Sequence, residues 1–298
     1  MVERYAVEGV GEDIALRIYT SRLIGRQPQL VIHGGGNTSV KTRVRDFFGR
    51  ECDVLCVKGS GWNLDTIEPQ GLPALHLAPL LKIRERETLS DQEMVSFMRS
   101  QLLDPASPNP SVETLLHAFL QHKFVDHSHA TSILALSDQA EGGRLLREAL
   151  GDRVLIFPYV MPGFKLAKAV AEAIEDVRVV EGVVLQKHGL FTFGETAKQS
   201  YDRMIDIVSR AERFINAAPA FAPPPRAGLS LNIAPEDVAP MIRGAAAIDE
   251  GGGAIRRFVT VFRTSPAVRL FVDADRGAEF GARGVITPDH VIRTQNKY

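Results

Sequence analysis

Asn109-Pro110-Ser111-Val112-Glu113-Thr114-Leu115-Leu116-His117-Ala118-Phe119-Leu120, followed shortly by Phe124-Val125-Asp126-His127-Ser128-His129-Ala130, is the stretch on which the fold turns. After the Pro-Ser start, Val112, Leu115, Leu116, Phe119 and Leu120 fall at helical spacing, which predicts a helix over 112–121. The short run after it reads as a strand over 124–129, in which alternate side chains share a face. Working outward, residues 30–33, 54–57 and 183–187 are further strand-like apolar runs. Residues 196–216 carry Met204, Ile205, Val208, Ala211 and Ile215 on one side and Asp202, Arg203, Asp206, Arg210 and Glu212 on the other, a long amphipathic helix. Strands alternating with helices predict an α/β core.

The pattern breaks at residues 217–228, where the run Pro223-Pro224-Pro225 removes backbone donors and forbids a helix. This divides the chain into a domain over 1–222 and a linker with a small α+β appendage over 223–298. In the appendage we expect a helix near 235–246, strands over 258–262 and 268–272, then a short helix and a tail.

With 35 Lys+Arg against 36 Asp+Glu and 45% apolar residues, the 298-residue chain has an ordinary globular composition. It shows no basic stripe with interleaved aromatics, so nucleic acid is not expected as a partner. No membrane span is expected either, because no apolar run approaches the roughly 18 residues one requires. Met1-Val2-Glu3-Arg4 leads into acidic residues rather than a signal peptide, and we expect a cytoplasmic protein. Cys52 and Cys56 lie on one face of a strand, as buried thiols rather than a disulfide.

His127 and His129, at i and i+2 on a strand, project from the same face. His188, between Lys187 and Gly189 at the end of another apolar strand, can add a third nitrogen, and Glu113 in the first turn of the helix a carboxylate. Three imidazoles and a displaceable carboxylate make a divalent-metal set with an open position, which Zn2+, Co2+ or Mn2+ could fill. Taken singly, each reads equally as structure: a satisfied His pair, a turn histidine, a solvated helix charge. His117, four residues after Glu113, could also reach the site, with an exposed helix face as the default reading, and His33, His76, His122 and His290 are assigned to structure or surface.

His33-Gly34-Gly35-Gly36-Asn37-Thr38-Ser39-Val40-Lys41 and Lys58-Gly59-Ser60-Gly61-Trp62 are glycine and hydroxyl loops of the kind that cradle a phosphate, with Lys41 or Lys58 to add charge. Read separately, each is equally a tight turn. The first resembles an esterase oxyanion loop, but no G-x-S-x-G elbow accompanies it. No G-x-G-x-x-G after a strand and no Walker motif is present, which argues against dehydrogenase and NTPase readings.

In order, Gly36-Asn37-Thr38-Ser39, Lys58-Gly59-Ser60-Gly61, Ser111-Val112-Glu113, His127-Ser128-His129 and Lys187-His188-Gly189 resemble the class II aldolase/adducin family. The resemblance implies a three-layer α/β/α domain and a homotetramer with sites at subunit interfaces. It also implies one zinc ion per chain on His127, His129 and His188. Glu113 would be the catalytic acid/base, and Asn37, Ser60, Gly61 and Ser111 the pocket for a substrate phosphate. The epimerase branch carries Asp where this chain has Glu113, which favours aldol chemistry, and adducin-like members lack the metal histidines. Two positions depart from the sugar-phosphate aldolases: Val112 replaces a second Ser, and Lys58 a Thr.

Phe157-Pro158-Tyr159-Val160-Met161-Pro162-Gly163 and the tail from Arg283 to Thr294 are similar to the aldolase half of bifunctional rhamnulose-1-phosphate aldolase/lactaldehyde dehydrogenase proteins. The implied reaction is retro-aldol cleavage of a ketose 1-phosphate to dihydroxyacetone phosphate and lactaldehyde, with Tyr159 as a second proton-transfer group or a packed aromatic. A dehydratase or decarboxylase on the same metal, an adducin-like binding module, and a role for His290 at the site stand beside it as alternatives.

Overall fold

A computed structural model of the 298-residue chain describes residues 10–175, 180–219, 224 and 233–294. The opening residues and most of the proline-rich linker fall outside them. The described helices and strands run in chain order as α1 (Glu12–Gly25), β1 (Asn37–Arg45), β2 (Glu51–Val57), β3 (Ala74–His76), α2 (Leu77–Lys82), α3 (Asp91–Ser100), α4 (Thr114–Phe119), β4 (Phe124–Ser128), α5 (Thr131–Ser137), α6 (Gly142–Leu150), β5 (Val154–Phe157), α7 (Phe164–Glu175), β6 (Gly182–Leu185), β7 (Gly189–Gly194) and α8 (Ala197–Ala217). The strands form one seven-stranded sheet in the order β3-β2-β1-β4-β7-β6-β5. β5 runs parallel to β6, and every other pairing is antiparallel.

Helices cover both faces because the strands are apolar on both. Val54, Cys56, Phe124, Val184 and Leu190 pack with α1, α5, α6 and α8 on one side. Their neighbours Leu55, Val57, Val125, Val183 and Phe191 pack with α2, α3, α4 and α7 on the other. The period-two alternation thus builds two cores and gives a three-layer α/β/α domain. Cys52 and Cys56 do share a face, as free thiols, and burial pushes Cys56 up to about 12.

One polar cluster crosses the first core. Arg17 on α1, fully buried, is paired with Asp126 on β4 and bonded to Thr20 Oγ1 (2.7 Å) and the Ser39 carbonyl (3.3 Å), while Ser200 Oγ on α8 donates to the other Asp126 oxygen (2.5 Å). Losing one partner would strand a buried charge, at roughly 3–5 kcal/mol, so the cluster fixes the register of β4 just before His127.

One local expectation in this domain is corrected. Residues 30–33 form turns rather than a strand, with His33 at φ 49°. Leu30 and Val31 are buried, but the backbone is already bending into the glycine loop.

The chain divides into two compact units, Met1–Ala218 with Val285–Asn296, and Pro219–Gly284 with Lys297–Tyr298. Residues 285–294, which include α12 (Pro288–Thr294), group with the first unit. The second unit holds α9 (Pro235–Ala245), the short ladder β8 (Ile248–Asp249) and β9 (Ile255–Arg256), α10 (Pro266–Val272) and α11 (Gly277–Ala282). Neither strand expected at 258–262 and 268–272 forms. The first stretch has no regular structure, and the second lies in α10, whose start is set by Ser265 Oγ accepting from Val268 N and by Pro266 in the first turn.

Candidate metal and substrate site

The register of the sheet gathers the site at one end. Asn37, the first residue of β1, pairs with His127 on β4, which pairs in turn with Phe191 on β7. The tight β6–β7 turn between Leu185 and Gly189 brings His188 beside them. Only glycine fits at 189, because a Cβ there would stand 2.4 Å from the Ser128 carbonyl and 2.8 Å from His127 Cε1. Glu113 arrives from the face carrying the second core, immediately before α4, so it occupies the cap position rather than the first turn.

His127, His129 and His188 are all buried, and their ligand atoms lie within 4.8 Å of one another. His127 Nδ1 bonds to the Leu190 carbonyl (3.1 Å), and His129 Nδ1 to Asp289 Oδ1 (2.5 Å). Both Nδ1 atoms face acceptors, so in the neutral rings that a metal requires each carries the proton on Nδ1 and both Nε2 atoms are bare. Those two bare nitrogens face each other at 3.1 Å. Two lone pairs so placed repel unless a cation lies between them, so the donor set fits a divalent metal. Burial, followed by the other histidines, pulls His127 well below its ordinary value against the attraction of Glu113, giving the neutral imidazole a metal requires.

Glu113 completes the set. Its Oε1 lies 3.0 Å from His188 Nε2 and its Oε2 3.4 Å from His127 Nε2. Oε1 and His188 Nδ1 are buried without a hydrogen-bond partner. Burial alone would raise this carboxyl, but positive charge on the His127 and His188 side of the site, together with a 2.6 Å hydrogen bond from Asn37 Nδ2, outweighs it and holds it well below the usual range. Glu113 is therefore ionised at neutral pH.

Asn37 spends its amide N–H groups on Glu113 and on Ser111 Oγ (2.9 Å). Ser111 also accepts weakly from Glu113 N (3.4 Å), which leaves its hydroxyl proton to donate. Behind Asn37 stands His117, fully buried between Ser39 Oγ (2.8 Å) and Asn37 Oδ1. The exposed helix face expected for His117 is corrected: α4 is buried on every side, as its nearly continuous apolar residues could have indicated.

A cleft of about 280 Å³ opens on this cluster, lined by Asn37, Ser60, Gly61, Ser111, Glu113, His129 and His188 together with Lys58 and the glycines 34–36. All the expected site residues except His127, which lies beneath, reach its wall. In the second glycine loop the N–H groups of Lys58, Gly59 and Ser60 are already used, donating to the Thr38, Gly71 and Asn109 carbonyls. Lys58 supplies the cation of the cleft; its Nζ donates to the Gly34 carbonyl (2.7 Å), and burial pulls it down to about 8 against Glu113 and Asp289. Lys41 does not reach the cleft; it caps the carbonyls of His117, Leu120 and His122. Tyr159 is half exposed and outside the cleft lining. His290 bonds to Thr287 Oγ1 (2.7 Å), and it is its neighbour Asp289, unanticipated from sequence, that reaches a ligand.

Residues 16–215 match the model for the class II aldolase and adducin N-terminal domain, and 234–298 that for the second domain of class II aldolases. The chain belongs to the class II aldolase and adducin family. It is similar to the N-terminal class II aldolase domain of a conserved protein from Thermoplasma acidophilum, at 47% identity and a TM-score of 0.65 over 68% of this chain and 93% of that one. A sugar-phosphate aldolase from Thermotoga maritima shares the fold, at 16% identity and a TM-score of 0.51 over 67% of this chain and 93% of that one. An uncharacterized oxidoreductase, YuxG, of Bacillus subtilis (strain 168) is 34% identical over 287 residues; the match takes in 93% of this chain but only 40% of that protein. Among the described residues, no helix is long and apolar enough to cross a membrane.

Proposed function

We propose that the chain catalyses reversible retro-aldol cleavage of a ketose 1-phosphate of the rhamnulose 1-phosphate type, giving dihydroxyacetone phosphate and lactaldehyde. The observation that carries the reading is the pair of bare imidazole nitrogens 3.1 Å apart beside a buried, ionised Glu113. Zinc, one ion per chain held by His127, His129 and His188, would supply Lewis-acid stabilisation of the negative charge that C–C cleavage leaves beside a carbonyl. No Schiff-base lysine is then needed.

The remaining work falls to side chains. In the condensation direction Glu113 takes the proton from the carbon that becomes nucleophilic; in the cleavage direction it returns that proton to the same carbon. Asn37 aims the carboxylate and holds Ser111 with its hydroxyl proton free. Ser60, Gly61 and Ser111, with Asn37 behind them, form the pocket for the substrate phosphate, and Lys58 provides the positive charge to balance it. The oxidoreductase name of the Bacillus relative suits a partner activity that would consume an aldehyde product.

The test is product identification with the zinc-loaded full chain and a panel of ketose 1-phosphates. Release of dihydroxyacetone phosphate and an aldehyde supports the reading. Release of water or CO2 without C–C cleavage to an aldehyde would assign a dehydratase or decarboxylase, and a chain that takes up no metal would be a binding module.

A further inference from the structure

Asp289 reaches the histidine cluster from 160 positions along the chain and is 2% exposed. One carboxylate oxygen accepts from His129 Nδ1 at 2.5 Å, and the other from the Ile32 backbone N–H at 2.8 Å. The loop has made room for it: a Cβ on Gly35 would stand 1.6 Å from Asp289 Oδ1, so no side chain is tolerated at 35 while Asp289 is in place. Thr287 beside it is also buried, and Pro288 and Ile292 of the same segment line the cleft. Core packing does not demand a carboxylate here, since the group that touches His129 is a buried charge.

We propose that Asp289 is a positioning residue for the metal centre, fixing the Nδ1-protonated form of His129 and turning its Nε2 toward the metal. The segment 285–294 is then a working part of the site. The inference rests on the metal reading above. A carboxylate behind a histidine fixes the ring's orientation and raises its basicity, and removing such a partner weakens metal binding by roughly 10–100-fold. Asparagine is not an adequate replacement. Its one acceptor oxygen can serve His129 or Ile32, and its NH2 would then face the other donor.

The experiment measures the zinc dissociation constant of the full chain by chelator competition for wild type, Asp289→Ala, Asp289→Asn and Gly35→Ala. Melting of the metal-free proteins reports folding, and ring 15N resonances of histidine-labelled metal-free chain report the His129 tautomer. We expect about 10–100-fold weaker zinc binding in all three variants. His129 should also lose its single Nδ1-protonated form in the Asp289 variants. If Asp289→Ala does not fold, the nearly isosteric Asp289→Asn decides. Zinc affinity within about twofold of wild type in a folded Asp289→Asn chain overturns this inference alone, because an outer partner of the ligand should cost at least tenfold. A wild-type chain that takes up no zinc overturns it together with the metal reading.

Discussion

Asn37 aims the Glu113 carboxylate: its Nδ2 donates to Oε2 at 2.6 Å while its own Oδ1 accepts from His117 Nε2. The chain continues to Ser39 Oγ, so a carboxylate at the metal set is oriented by a buried row that starts in the middle of the sheet. Asn37→Ala breaks this row at its centre. It should lower kcat by roughly 10–100-fold with the zinc content unchanged, as loss of an outer orienting partner does. Steady-state kinetics on the zinc-loaded variant check this, and an unchanged kcat with a raised KM would instead reduce Asn37 to a substrate contact.

Much of this arrangement was legible in the sequence. The period-two placement of His127 and His129 and the apolar strands around them predicted a shared face on a core strand, and the amphipathic pattern of 196–216 predicted α8. His117 was misread because an isolated polar residue on a helix is usually solvated. Here the flanking Leu115, Leu116, Ala118 and Phe119 are all buried, leaving α4 no outward face. In the second unit, the apolar run at 268–272 suggested a strand, although Ser265-Pro266 is a helix start. Asp289 and the Arg17–Asp126 pair carry no local signal, because each is defined by a partner more than a hundred residues away.

His117 also gives the fold a pH dependence. Burial pulls its imidazole from an ordinary value of 6.5 down to about 3. The folded state then binds fewer protons than the unfolded state across this window. The stability associated with His117 is intact above about pH 6.5 and is lost as the pH falls toward the folded value, by up to about 1.4 kcal/mol per pH unit. Denaturant unfolding of the metal-free full chain at about pH 7 and about pH 5 should show a shallower loss for His117→Gln than for wild type. Parallel losses would show that His117 does not titrate on unfolding.

Glu113→Gln tests the central claim most directly, because it keeps the size and shape of the side chain while removing the ionisable group assigned to move the proton. Metal content and turnover of a ketose 1-phosphate should be measured side by side on this variant and the wild-type chain. The account predicts about one zinc per chain in both, with turnover reduced by roughly two to four orders of magnitude in the variant. Near-wild-type turnover by a zinc-loaded Glu113→Gln chain would contradict it.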